Sequence, residues 1–194
     1  MNAPPPVILA SSSVYRRELL QRILPEFSVN SPDVDESPVA DESPAAMAQR
    51  LADLKARAVA AQYPNAITIG SDQVPTLDAR VLRKPGNRER AIEQLRDCSD
   101  RTVNFLTAVT VLGPDGREER HIDRTCVHFR ALQPDEIERY VDAEQPFDCA
   151  GSFRVEGLGI TLFRHIESSD PTGLQGLPLI WLSSCLNRCG IVLP

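Results

Sequence analysis

No stretch of the chain holds the ~18 uninterrupted apolar residues that a membrane-spanning helix needs, so no span is expected. Nor does Met1-Asn2-Ala3-Pro4-Pro5-Pro6 place a basic region before an apolar run; no secretory signal is read there, and a cytoplasmic chain is expected. An excess of basic charge is also missing. A formal net charge of −6 leaves no broad cationic face to displace counterions, which argues against general nucleic-acid binding but leaves room for a local basic pocket around a small polyanion. Cysteine is sparse and unpatterned. Cys98, Cys126, Cys149, Cys185 and Cys189 are odd in number and contain no C-x-x-C pair, which argues against a disulfide framework or a structural zinc site and favours reduced thiols packed as small apolar groups. Walker, G-x-S-x-G and H-E-x-x-H strings are absent, and His121, His128 and His165 lack metal-ligand spacing, so the histidines are expected to serve structure.

What is present is enough apolar residue, 42% of 194, for one compact domain or two fused halves. Pro6 to Ala10 reads as a buried strand, Val14 to Leu24 as a helix capped by Ser13, and Phe27 to Asn30 as a returning strand. Ser31 to Asp41 is a proline- and acid-rich loop. Ser43-Pro44 is a cap followed by proline at the first helical position, and Met47, Leu51, Leu54, Ala58 and Ala61 predict one buried stripe behind it. Ala66 to Gly70 reads as a central strand and Arg88 to Cys98 as a helix. Gly113-Pro114-Asp115-Gly116 turns a hairpin between strands Thr102 to Leu112 and Glu118 to Arg130. A helix over Pro134 to Ala143, a strand from Gly159 to Phe163 and a helix over Leu177 to Cys189 complete the chain. Alternation broken by a hairpin predicts an α/β fold with a mixed sheet flanked by helices.

Three regions could carry chemistry. In Ser11-Ser12-Ser13-Val14-Tyr15-Arg16-Arg17 a strand runs into hydroxyl residues and a helix start, which gathers backbone N–H groups and favours an anion. Arginines in a first helical turn oppose the helix dipole unless a phosphate binds nearby; an exposed capping turn is the plainer alternative. Asp72 lies just past the expected end of a buried strand, where open α/β sheets bind ligands; it is a metal holder, a base toward water, or a turn aspartate. Asp33, Asp35 and Glu36 lie in a loop that could reach the same place, and paired carboxylates suit Mg²⁺. Lys55, on the border of the helical stripe, and Lys84, before Pro85-Gly86, offer matching positive charge or are snorkelling surface lysines.

Five strings occur in order: Leu9-Ala10-Ser11-Ser12-Ser13-Val14-Tyr15-Arg16-Arg17, Gly70-Ser71-Asp72-Gln73-Val74, Lys84-Pro85, Cys149-Ala150-Gly151-Ser152-Phe153-Arg154-Val155-Glu156-Gly157 and Gly176-Leu177-Pro178-Leu179-Ile180. Together they resemble the Maf family of nucleoside triphosphate pyrophosphatases over residues 7 to about 190, and Tyr15, Gln73 and Glu156 are similar to the branch acting on 7-methyl-GTP rather than on dTTP and UTP. The resemblance implies one domain over residues 1–194, in two lobes around a central cleft, with an elongated twisted sheet of the Maf/ITPase kind. It implies Asp72 as proton acceptor, Asp72 and Glu36 as holders of a divalent cation (Mg²⁺ or Mn²⁺), and Ser11, Ser12, Arg16, Lys55 and Lys84 around the phosphates. Tyr15, Gln73 and Glu156 would read the base of a small-molecule triphosphate, with no nucleic acid or membrane as partner; a homodimer is compatible with this. A nucleotide-binding regulator of cell division without catalysis is the alternative. Two departures from the family pattern stand near the lysines, Arg83 in place of a loop glycine and Leu54 where relatives often carry an acid beside Asp53.

Overall fold

The computed structural model describes residues 4–193. Strand β1 (Val7–Ala10) is buried at every position because it is paired on both edges. It runs parallel to β2 (Ser28–Asn30), with Leu9 opposite Val29, and parallel to β3 (Ile67–Leu77), with Ala10 opposite Gly70. Helices α1 (Val14–Gln21) and α2 (Pro44–Ala60) start as expected: the hydroxyls of Ser13 and Ser43 accept from the amides of Arg16 and Ala46, each satisfying one orphan donor of a first turn. There follow β4 (Arg80–Val81), antiparallel to β3, α3 (Arg88–Cys98), β5 (Thr102–Leu112) and β6 (Glu118–Phe129). Helix α4 (Pro134–Glu144), a 3-10 turn over Leu158–Leu162, β7 (Phe163–Glu167) and α5 (Leu179–Arg188) end the chain. The sheet order is β2-β1-β3-β5-β6-β7, with β4 on β3. Parallel pairs at one end and the antiparallel β6–β7 pair at the other make the sheet mixed, as expected.

The chain divides into two compact units: Met1–Gln73 with Thr107–Asp123 and Asp170–Pro194, and Val74–Leu106 with Arg124–Ser169. In the first, strand alternation decides the packing. Val7, Leu9, Ile67 and Ile69 face Leu19 and Leu20 of α1 and Leu182, Cys185 and Leu186 of α5. Ile8 and Ala10 face the other way, with Val59 of α2. A Cβ at Gly70 would run into the carbonyl oxygen of Ala52 and, at 2.6 Å, the amide nitrogen of Ala56. Glycine here, against alanines on the helix, lets α2 lie directly on β3.

That contact corrects the expected stripe. The inward face of α2 is Ala48, Leu51, Ala52, Lys55, Ala56 and Val59, whereas Leu54 is exposed. Close backbone approach selects small residues over the larger Met47 and Leu54. Strand β3 also runs on through Asp72 to Leu77, because Val74 to Leu77 are buried and Thr76 and Leu77 pair with β4. Asp72 is therefore inside a strand and not beyond its end.

In the second unit, four of the six phenylalanines gather edge to face. Phe153 packs on Phe105, Phe129 and Phe163 with ring centroids 5.3, 5.7 and 4.8 Å away. Gly151, at φ 85°, brings the chain against the Phe105 ring. The segment expected as a strand from Gly159 is the 3-10 turn, and Glu156 lies in a turn before it. The carboxylate of Glu144 fixes that turn by accepting from the Leu158 amide at 2.5 Å, which leaves the backbone no strand partner to seek.

Candidate functional site

Alternation along β3 sends its polar residues to opposite faces. Asp72 has the parity of Gly70 and lies toward α2; Ser71 and Gln73 lie toward the other side. On the α2 side, Lys55 Nζ donates to Asp72 Oδ1 at 2.6 Å and also meets Glu36 Oε1 at 2.7 Å. The side chains of Lys55 and Asp72 are 11% and 13% exposed and that of Glu36 is 58% exposed, so two largely enclosed groups meet one exposed acid. Asp72 Oδ2 has no protein hydrogen-bond partner among the described residues.

On the other side, the turns from Asp170 to Gly176 are tied to the sheet. Ser71 Oγ donates to the Gly176 carbonyl at 2.9 Å. Gln73 Nε2 donates to Thr107 Oγ1 and to the carbonyls of Gly173 and Leu174 at 2.9, 3.1 and 3.0 Å. Asp170, buried, accepts from the Thr172 amide and hydroxyl and from the Ile180 amide at 2.7 Å, which anchors the turns to the first turn of α5. Gly176, at φ 107°, takes a conformation suited to glycine, and a side chain there would press on Arg16 at 3.3 Å.

Arg16 joins the two sides. Its Nε donates to the Gly176 carbonyl at 2.9 Å and Nη1 reaches Ser11 Oγ at 3.5 Å. Burial lowers its pKa; the nearby charges of Asp72 and then Glu36 oppose that. A half-buried guanidinium with a donor nitrogen, Nη2, unused by any described protein group is poised for an anion. Ser11 is buried and already accepts from the Ser13 amide at 3.1 Å, so its hydroxyl hydrogen remains to donate, while Ser12 is exposed. Tyr15 is half-buried on α1.

Asp72, Glu36, Lys55, Arg16 and Ser11 are thus brought together within the first unit. Lys84 and Glu156 belong to the second, Lys84 exposed after β4 and Glu156 exposed in its turn. Asp33 and Asp35 do not join the lysine; Asp35 Oδ1 accepts from the Ser37 amide at 2.9 Å. Asp53 is structural, accepting from Gln49, Thr110 and Arg120 at 2.9, 2.5 and 3.1 Å. The sequence reading missed Ser71 and the Gly173–Gly176 carbonyls. Backbone acceptors carry no residue signature, and only the paired glycines around Leu174 and Gln175 marked the turn.

Two carboxylate oxygens converging on one ammonium are hard donors already directed at a common point, which fits a divalent cation of the Mg²⁺ or Mn²⁺ kind. With Arg16 and Lys55 beside them, the arrangement can gather phosphates and present a carboxylate to water.

A family model described as "Maf-like protein" matches residues 6–189. A "7-methyl-GTP pyrophosphatase" of Xanthomonas oryzae pv. oryzae is 55% identical over 98% of this chain and 100% of its own length. Proteins so named from Pseudomonas aeruginosa and Alcanivorax borkumensis are 50% and 51% identical, each over 98% of this chain and over 100% and 97% of their own lengths. The solved structure of the Staphylococcus aureus Ham1 protein is a partial likeness, with a TM-score of 0.46 and 20% identity over 63% of this chain and 71% of that one. Among the described residues, no helix is long and apolar enough to cross a membrane.

Proposed function

This chain belongs to the Maf family, and on that premise we propose that it hydrolyses 7-methyl-GTP to 7-methyl-GMP and pyrophosphate. It would act on free nucleotide in the cytoplasm, with no nucleic acid or membrane as partner. The substrate rests on the names of its full-length relatives. The reaction class is supported by one observation above all: the Lys55 ammonium lodged between Asp72 and Glu36, beside the half-buried guanidinium of Arg16.

A triphosphate carries roughly four negative charges, and an attacking water must overcome their repulsion, so the work is charge neutralisation and orientation. Asp72 and Glu36 would hold Mg²⁺ or Mn²⁺, which when bound supplies Lewis-acid neutralisation of phosphate oxygens and a more acidic water. Arg16 and Lys55 meet the remaining phosphate oxygens, and Ser11 and Ser12 with the amides opening α1 cradle one phosphate. Asp72, whose Oδ1 is the atom directed at the shared cation position, takes the proton of the attacking water at Oδ2. The water oxygen bonds to the α-phosphorus, the α–β anhydride bond breaks, and its electron pair leaves with pyrophosphate.

Glu156, Tyr15, Gln73 and Lys84 enter through the resemblance. A carboxylate accepts from guanine N1–H and the N2 amino group more strongly than a glutamine does, which suits Glu156. N7-methylation makes the ring cationic, and stacking on Tyr15 adds ~0.5–2 kcal/mol of cation–π attraction. The Gln73 amide nitrogen is spent on the Gly173–Leu174 turn, so its Oε1 is the atom left for the base. Lys84 adds charge toward the phosphates.

Pyrophosphate release from 7-methyl-GTP, GTP, dTTP and UTP, with and without Mg²⁺, tests the reading. The expected result is highest kcat/KM for 7-methyl-GTP, with a loss of about tenfold in Glu156→Gln for the guanine substrates and none for dTTP and UTP, the worth of one charge-assisted contact. Preference for dTTP or UTP would move the substrate. Binding without turnover would leave a nucleotide-binding regulator of cell division.

A further inference from the structure

We propose that the sheet edge of the second unit carries a site for one divalent transition-metal ion of the zinc kind, built by His128, His165 and Glu167. Strands β6 and β7 run antiparallel with His128 directly opposite His165, and Glu167 follows His165 by two residues on the same face. The imidazoles stack, with ring centroids 3.9 Å apart and planes 14° from parallel. Both rings bring Nε2 close to one oxygen: Glu167 Oε1 lies 3.2 Å from His128 Nε2 and 3.3 Å from His165 Nε2. All three ligand atoms lie within 4.8 Å of one another.

A second observation points to a ligand. His128 Nδ1 is held at 2.8 Å by Thr102 Oγ1 on β5, which fixes the ring and leaves Nε2 for another partner. Yet His128 Nε2 is buried and makes no hydrogen bond to any described group; the Glu167 oxygen is close but poorly aligned. An imidazole with one nitrogen braced by a hydroxyl and the other bare is how a metal-ligating histidine is prepared. Two neutral nitrogens and one carboxylate oxygen favour Zn²⁺, Co²⁺ or Ni²⁺ over Mg²⁺, and leave an open position.

The fixed ligand is His128, 20% exposed at its side chain. His165 and Glu167 are 55% and 65% exposed and free to turn from the stacked arrangement onto a shared ion. Because β7 is the last strand of the sheet, such an ion would staple its free edge to β6. The histidines lie far apart in the chain, and only the strand register brings them together; their chain spacing hides the site.

A rival soft-metal group, Glu119 with Cys185 and Cys189 on α5, sits in the first unit. It is less prepared, because none of its ligand atoms is a buried nitrogen left without a hydrogen-bond partner as His128 Nε2 is.

The test is a Zn²⁺ titration of the full-length protein in excess Mg²⁺, against a chromophoric chelator, with thermal unfolding in parallel. The expected result is one zinc per chain and a higher Tm with zinc. His165→Ala, at an exposed position, should weaken zinc at least about tenfold and abolish the Tm rise. Mg²⁺-dependent turnover without zinc should be unchanged in that variant. Asp72→Asn should bind zinc as the parent does, which separates this site from the proposed catalytic one. Equal binding by the parent and His165→Ala, no binding by the parent, or loss on Cys189→Ser with His165→Ala unaffected would each overturn the proposal.

Discussion

Lys55 Nζ lies 2.6 Å from Asp72 Oδ1 and 2.7 Å from Glu36 Oε1, so a single ammonium from α2 bridges an acid of β3 and an acid of the loop before α2. It rests where a cation shared by those carboxylates would rest. On the proposed function, the lysine would yield this place to a divalent ion and turn to the phosphates.

Replacing Lys55 by Met keeps the aliphatic stem against α2 and β3 but removes the charge. We expect kcat to fall about 100- to 1,000-fold, the scale for losing one charged stabiliser at a reacting phosphate. The urea midpoint without metal should fall too, since Asp72, half-buried, is left without its partner. The double variant Lys55→Met/Asp72→Asn should recover part of the stability and none of the activity. A double-mutant cycle showing no coupling would mean the contact is incidental.

The site depends on how near α2 lies to β3. Gly70→Ala should destabilise the fold by about 3 kcal/mol, at the upper end of overpacking costs, because the new methyl meets backbone of α2 at Ala52 and Ala56 and no flexible side chain. Its kcat should drop further than the fraction unfolded explains, since the helix that shifts carries Lys55. Equilibrium unfolding in urea beside steady-state rates checks both; a variant as stable as the parent would show that α2 has slack.

Asp53 gives the fold an acid sensitivity. Burial alone would raise its pKa, but hydrogen bonds from Arg120, Thr110 and Gln49 outweigh that and hold it below the usual carboxylate range. The folded state then binds fewer protons than the unfolded chain around that pKa. The stabilisation is full above the unfolded value of about 3.9 and is lost as pH falls through the folded one. Asp53→Asn should lose about 1 kcal/mol at pH 7, discounted for the part of the side chain in water, and should show a flatter decline toward about pH 3. Parallel declines for parent and variant would assign the acid sensitivity elsewhere.

Much of this was legible in the residues, and the misses have physical causes. Ser13, Ser43-Pro44 and the Gly113–Gly116 turn marked their elements because caps and turns are local chemistry. The inward face of α2 departs from the apolar pattern because the glycine on the facing strand turns Ala52 and Ala56 inward, and Lys55 lies between them. Asp72 was placed beyond a strand because Gly70-Ser71-Asp72-Gln73 and Pro75 break the apolar pattern, although pairing with β4 carries the strand on. The sequence could not decide between Glu36 and its neighbours Asp33 and Asp35, which look alike there; only the fold brings one of the three to Lys55.

The most direct measurement is single-turnover pyrophosphate release by Asp72→Asn at saturating Mg²⁺ and 7-methyl-GTP, with near-ultraviolet circular dichroism to establish the fold. Asparagine preserves shape and removes the proton acceptor, so the rate should drop by about 100- to 10,000-fold while the spectrum stays that of the parent. A well-folded variant that turns over within a fewfold of the parent rate would contradict the assignment of the chemistry to Asp72.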